Sequence, residues 1–240
     1  MDTSSPEHVG AERVRTVRLQ GVAPQPWRNG GGRTRELLAW PSAEAWSLRI
    51  SVAEIEQDGP FSAFPGVQRW FAVIEGEGVA LAFDGAERIC RRGDAPLAFD
   101  GGAAPGCRLF DGPTRDLNLM ARHGLATMRA VRADAPWDEA YAWRGLYTAV
   151  AGRWHDGAAL RAFEAGTLMW LDGIDPAGRR TDGIGVADPA DRNGHQATDA
   201  EPGHRSTAWR FTPSAVAAAA SDAAVAAWWI GYNPDSKPKR

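Results

Sequence analysis

The chain has 240 residues, 44% of them hydrophobic, and a formal net charge of −3. That length can bury one large core or two small ones, and the charge excludes the basic stripe that nucleic-acid binding requires. No run approaches the 18 apolar residues of a membrane span, the polar start lacks the apolar stretch of a secretory signal, and two cysteines make no disulfide framework, so a cytoplasmic protein is expected.

In chain order, residues 1–13 and 233–240 read as disordered tails. Val14, Val17 and Leu19 begin the ordered part as a strand that Pro24 and Pro26 end. Gly30, Gly31 and Gly32 follow, flanked by Trp27 and Asn29. Three glycines lose much backbone entropy on folding, so they are kept where the chain needs positive φ angles or a close backbone approach. The next strand, 34–40, puts Thr34 and Glu36 on one face and Arg33 and Arg35 on the other.

Residues 46–55 alternate, with Trp46, Leu48, Ile50 and Val52 on one face and Ser47, Arg49 and Ser51 on the other. Asp58-Gly59-Pro60 and Phe64-Pro65-Gly66 mark turns, with Phe61 and Phe64 plugging one end of a barrel. Strands are expected at 69–75, 79–83, 97–99, 108–110 and 116–121, with Asp84-Gly85 as a hairpin signal. Cys90 and Cys107 read as small buried hydrophobes on strands. About eight short strands spaced roughly 8–12 residues apart, with no helix between them, are the pattern of an all-β sandwich or jelly roll.

In the second half, short strands are expected at 143–150, 159–163, 167–171 and 206–211. Residues 172–207, rich in Gly, Asp, Pro and Arg, read as a long loop. Alanine density over 215–227 favours a short helix after Ser214. A second barrel would instead ask for a strand near 226–230, and both readings stay open. Trp228 and Trp229 alternate, one ring facing inward and the other facing a contact between barrels or subunits.

The string Trp27-Arg28-Asn29-Gly30-Gly31-Gly32-Arg33-Thr34-Arg35-Glu36-Leu37 resembles the signature of the HutD/Ves family, linked by name to bacterial histidine utilisation. Trp46-Ser47-Leu48-Arg49-Ile50-Ser51, the Asp58-Gly59-Pro60-Phe61 segment, Gln68-Arg69, Asp111-Gly112-Pro113 and Asp116-Leu117-Asn118-Leu119-Met120 follow in the family's order. The resemblance covers roughly residues 14–125. It implies an all-β bicupin, two jelly-roll barrels in one chain with few short helices and without the usual cupin metal. An N-terminal barrel would span 14–132, and a degenerate C-terminal one 133–232 with 172–207 inserted.

A cupin metal site takes two histidines one residue apart, a nearby carboxylate and a later histidine. His8, His123, His155, His195 and His204 include no such pair. The loop group of His195 and His204 with Asp191, Asp199 and Glu201 reads as chance. Neither a metal nor any other cofactor is expected. Nucleophile-elbow, dinucleotide and phosphate-loop motifs are also missing from the sequence.

The polar faces carry the chemistry. Arg49 and Ser51 stand on one strand, Asp116 and Asn118 on another, Thr34 and Glu36 on a third, and Arg69 begins a fourth. If these faces meet, they enclose guanidinium, carboxylate, amide and hydroxyl groups. Ser51 and Ser62 would add hydrogen bonds, Trp27 would wall the pocket, and the backbone of Asn29, Gly30, Gly31 and Gly32 would form an anion nest. A structural ion network and a pocket for a small carboxylate ligand fit equally. Three functions follow. The first is a metal-free binding protein for a small carboxylate, which the resemblance suggests is urocanate or formimidoylglutamate, with a regulatory role in histidine utilisation. The second is an isomerase or hydrolase using Glu36 or Asp116 as acid/base. The third is a structural or partner-binding protein without ligand. Neither nucleic acid nor membrane is an expected partner, and a homodimer is left open.

Overall fold

The computed structural model describes residues 14–133, 135–171, 208–215 and 226–234. The first half carries β1 (Val14–Arg18), β2 (Gln25–Pro26), β3 (Gly32–Trp40), β4 (Leu48–Ile55), β5 (Gly59–Pro60) and β6 (Val67–Glu75). It continues with β7 (Val79–Phe83), β8 (Ala86–Cys90), β9 (Leu97–Asp100), β10 (Gly106–Leu109) and β11 (Thr114–Arg122). The second half carries β12 (Ala126–Ala130), β13 (Trp143–Thr148), β14 (Gly152–His155), β15 (Leu160–Phe163), β16 (Thr167–Leu171), β17 (Arg210–Pro213) and β18 (Ala227–Tyr232). The expected loop at 172–207 and the 216–225 part of the alanine-dense stretch lie outside the described residues. Ala227–Tyr232 is strand.

The strands form four sheets, ordered β5-β10-β7-β8, β2-β3-β4-β11-β6-β9, β1-β16-β13-β18-β12 and β15-β14-β17. Side-chain alternation sorts the residues into three apolar layers between them. Ala53, Ile55, Phe71, Val73, Val79 and Leu81 fill the space between the four- and six-stranded sheets. Leu48, Ile50, Val52, Trp70, Leu117 and Leu119 face Tyr147, Leu168, Trp228 and Ile230 between the six- and five-stranded sheets. Leu146, Trp154, Met169, Trp209, Phe211 and Trp229 fill the space between the five- and three-stranded sheets. The two adjacent tryptophans therefore divide, Trp228 between the halves and Trp229 inside the second.

The middle layer explains β4. Its alternation predicts one buried face, yet all but Arg49 of its residues are buried. The apolar face of Leu48, Ile50 and Val52 is covered by the second half, and the polar face of Arg49 and Ser51 turns into the first. The halves also exchange strands. Residues 14–18 and 126–130, read from sequence as part of the first barrel, hydrogen-bond into the five-stranded sheet, β1 on β16 and β12 on β18. The strand begun at Val14 ends at Arg18 in a 3-10 turn rather than continuing to Pro24.

Candidate functional site

The inward face of the six-stranded sheet is arranged in rows set by strand register. Arg49 and Arg69 flank Met120 from β4 and β6 in one row. The next row holds Glu36, Ser51, Asn118 and Phe71, and the one after it Thr34, Ala53, Asp116 and Val73. The polar set predicted from alternation is thus brought onto one face.

Row by row, exposure falls and the pairing changes. Arg49 Nε donates to Glu36 Oε2 at 2.8 Å, with side chains 18% and 20% exposed. Arg69 is buried, and its Nε and Nη2 both donate to Asn118 Oδ1, at 2.9 and 2.6 Å. Among the described residues no carboxylate lies within ion-pair distance of Arg69. Its guanidinium carbon lies 4.3 Å from the Phe61 ring centre and 5.6 Å from that of Phe99, so cation–π contact replaces part of its lost hydration. Burial pulls Arg69 down to about 10, against the pull of Asp116, and the neighbouring Arg49 charge lowers it further.

Asp116 is fully buried. Thr114 Oγ1 donates to its Oδ2 at 2.8 Å, while Oδ1 is enclosed without a hydrogen-bond partner. Burial pushes its carboxyl up to about 8, against the Thr114 hydrogen bond and the Arg69 charge, so the group is largely neutral near pH 7. Burial also pushes the thiols of Cys107 and Cys90 up, to about 12 and 11, which disfavours a thiolate nucleophile. Arg49 is matched by Glu36, whereas Arg69 is held by the neutral Asn118 amide, and the Asp116 carboxyl near it is pushed toward its neutral form by burial.

The opposite face of the same sheet is compensated. Burial pushes Glu54 up, but hydrogen bonds from Arg35 and Arg33 outweigh it and hold its carboxyl below the ordinary range. Arg35 Nε lies 2.9 Å from Glu54, and Arg115 lies 3.7 Å away. Arg33 and Arg35 of the glycine-rich string are therefore both engaged by Glu54.

The glycine turn stands at the other end of the sheet from Arg49, with Gly32 opposite Ile55. Two of the amides expected to form an anion nest, those of Gly30 and Gly31, are used within the turn. Gly30 N donates to Trp27 O at 3.1 Å and Gly31 N to Asn29 Oδ1 at 3.1 Å. Gly30 has φ +72°, and a Cβ on Gly32 would lie 2.3 Å from Glu54 O, so both reasons for keeping glycine operate. Trp27 Nε1 donates to Thr34 Oγ1 at 2.8 Å and closes that end. Ser51 is buried in the Asn118 row, whereas Ser62 is exposed in the β5–β6 connection, outside the interior set.

A cleft of about 470 Å³ opens at the Arg49 end, lined by Trp46, Ser47, Phe64, Val67 and Arg122 among others. Val67 and Arg122 form the row next to Arg69 and Met120, so the cleft lies one row away from the arginine pair, which does not itself line it. Trp46 faces Phe64 with ring centres 6.1 Å apart, and the Arg49 guanidinium lies 6.0 Å from the Trp46 ring centre. Sequence reading counted Trp46 as part of an apolar strand face and Phe64 as a barrel plug. Position at the strand ends, where side chains meet solvent, was the available signal. Among the described residues no group of three His, Cys, Asp or Glu could hold a metal ion, and the residues present do not fit the usual cupin donor set. No helix of the described residues is long and apolar enough to cross a membrane.

A family model described as HutD matches residues 20–174. An uncharacterized 21.2 kDa protein in the hutC 3′ region of Pseudomonas putida is 37% identical over 111 residues, 45% of this chain and 58% of that protein. The chain thus spans little more than half the length of that relative. Protein Ves of Citrobacter koseri is 32% identical over 149 residues, 61% of this chain and 78% of its own. In fold, HutD from Pseudomonas fluorescens SBW25, determined in a formate condition, aligns with 92% of this chain and 98% of its own at a TM-score of 0.65 and 21% identity. The fold is all-β and cupin-like.

Proposed function

The chain belongs to the HutD family, and from that premise we propose that it binds a small carboxylate metabolite of histidine degradation, urocanate or formimidoylglutamate, and acts as a regulator of histidine utilisation. The observation that carries this reading is Arg69, buried on the neutral Asn118 amide with no carboxylate of the described residues within ion-pair distance, and framed by Phe61 and Phe99. A buried guanidinium without a counter-ion is costly, and an anion of charge −1 entering beside Arg49 removes that cost. The aromatic pair of Trp46 and Phe64 supplies apolar walls at the entrance, and the fork of Arg49 suits a carboxylate. Arg49 would then exchange Glu36 for, or share it with, the ligand.

The test is a thermal-shift and calorimetric screen of urocanate, formimidoylglutamate, glutamate, histidine and formate against the wild type and Arg49→Ala. A stabilising acid whose effect disappears in Arg49→Ala supports the reading. No stabilisation by any of the acids refutes it.

Asp116 favours a second reading. A carboxyl pushed to about 8 with an unpartnered Oδ1 has the properties of a general acid/base. The protein would then convert the bound acid by proton transfer. Turnover of urocanate or formimidoylglutamate, followed by NMR and abolished in Asp116→Asn, separates that reading from binding alone.

A further inference from the structure

The rim of the cleft is tied to the C-terminal half. Tyr232 ends β18 and is 1% exposed, in the layer between the halves. Its hydroxyl donates to Ser47 Oγ at 3.1 Å, a contact between residues 185 positions apart. Ser47 N and Oγ in turn both donate to Trp40 O, at 2.7 and 3.4 Å. The Tyr232 ring meets the Trp40 ring edge-on with centres 5.7 Å apart. Trp40 ends β3 and Ser47 stands just before β4, so these bonds close the 41–47 connection at both its ends.

That connection carries the cleft's wall. Trp46 and Ser47 line the cleft, and Arg49 lies beneath the Trp46 ring. Among the described residues, every one that lines the cleft comes from the first half. Apolar packing at position 232 would be met by phenylalanine; the hydroxyl adds a directed bond, and its acceptor is a cleft residue.

We propose that Tyr232 is a positioning residue of the cleft, holding Trp46 above Arg49 through Ser47 and Trp40. The second half thereby sets the geometry of a site to which it contributes no lining residue. This rests on the cleft being the entrance for a carboxylate, but not on which carboxylate enters.

The experiment uses the full chain with Tyr232→Phe, Ser47→Ala and the double variant. It reads backbone hydrogen exchange over 41–47 and 227–231, and the Kd for urocanate by calorimetry. Exchange over 41–47 is expected to rise several-fold in each variant while 227–231 stays protected. The urocanate Kd is expected to weaken about fivefold, the worth of one hydrogen bond. The double variant should be no weaker than Ser47→Ala, which already loses both the Tyr232 bond and the Ser47 Oγ bond to Trp40 O. Wild-type exchange over 41–47 in Tyr232→Phe overturns the positioning role whether or not urocanate binds. Raised exchange with an unchanged Kd overturns the proposal and leaves the carboxylate reading in place. Failure of the wild type to bind urocanate removes that reading for this acid, while exchange over 41–47 still decides whether Tyr232 holds the connection.

Discussion

Arg69 and Asn118 meet across β6 and β11, with two guanidinium nitrogens converging on the one oxygen Asn118 Oδ1 at 2.9 and 2.6 Å. The guanidinium is held in place by a neutral group, so its direction is fixed while its charge is left for something else to neutralise.

Asn118→Asp tests that relationship. It puts a carboxylate of nearly the same shape against Arg69 and gives up the Asn118 Nδ2 bond to Asp116 O at 3.1 Å. The new ion pair and the lost donor oppose each other, so ligand-free stability should stay within about 2 kcal/mol of wild type. Anion affinity should fall at least tenfold, because the charge the ligand would meet is already neutralised. Calorimetry with the best-binding acid checks this, and wild-type affinity in Asn118→Asp would show that Arg69 does not hold the anion.

Arg49→Ala should weaken the same acid roughly 10- to 100-fold, the equivalent of about 1.5–3 kcal/mol for a hydrogen bond to a charged group. In the wild type, ligand at 100 times its Kd should stabilise by about 2.7 kcal/mol. At about 2–4 °C per kcal/mol for a chain of this size, that corresponds to a rise of about 5–11 °C in Tm. The variant should show the wild-type Tm shift only at correspondingly higher ligand concentration.

How much of this was legible follows from register. Alternation along 46–55 and 116–121 separates Leu48, Ile50, Leu117 and Leu119 from Arg49, Ser51, Asp116 and Asn118, and the structure places the two sets on opposite faces of one sheet. Period-2 patterning carries that information locally. It does not say what covers each face. The apolar set is covered by strands more than twenty residues away in sequence, β13, β16 and β18, and β1, the first described strand, pairs with β16 of the second half. The same limit hid the cleft. Trp46 and Phe64 come from two separate connections and Arg122 from the end of β11, and they meet only after the sheet closes. The glycine run was legible as backbone in need of glycine, but its distance from Arg49 is a matter of register, and so is the use of its amides within the turn.

Gly30→Ala probes that turn. At φ +72° an alanine adopts a left-handed conformation costing about 1–2 kcal/mol, with open space around the added methyl. Urea unfolding should show that loss, and affinity for the acid should be unchanged because the turn lies at the end of the sheet away from the cleft. Gly32→Ala is expected to be worse, since its Cβ would meet backbone oxygen rather than a movable side chain. An altered acid affinity in Gly30→Ala would return the turn to the binding site.

Asp116 gives a pH dependence whose sign can be worked out. Its ordinary value is 3.8 and its buried value about 8. Between these values the folded chain holds a proton that the unfolded chain has released, so stability falls as pH rises. The contribution is fully present below the ordinary value and is lost as pH climbs through about 8. Asp116→Asn carries no titrating group there and keeps a neutral side chain of the same size. Urea unfolding of both proteins at pH 5, 7 and 9 isolates the effect, because Glu54 and the other carboxylates titrate alike in each. The difference, wild type minus Asp116→Asn, should become less favourable to wild type by a few kcal/mol across that range. A difference independent of pH would mean that Asp116 stays ionised in the fold. Arg69 would then have its counter-charge inside the protein, and the case for an anion at the arginine pair would lose its main support.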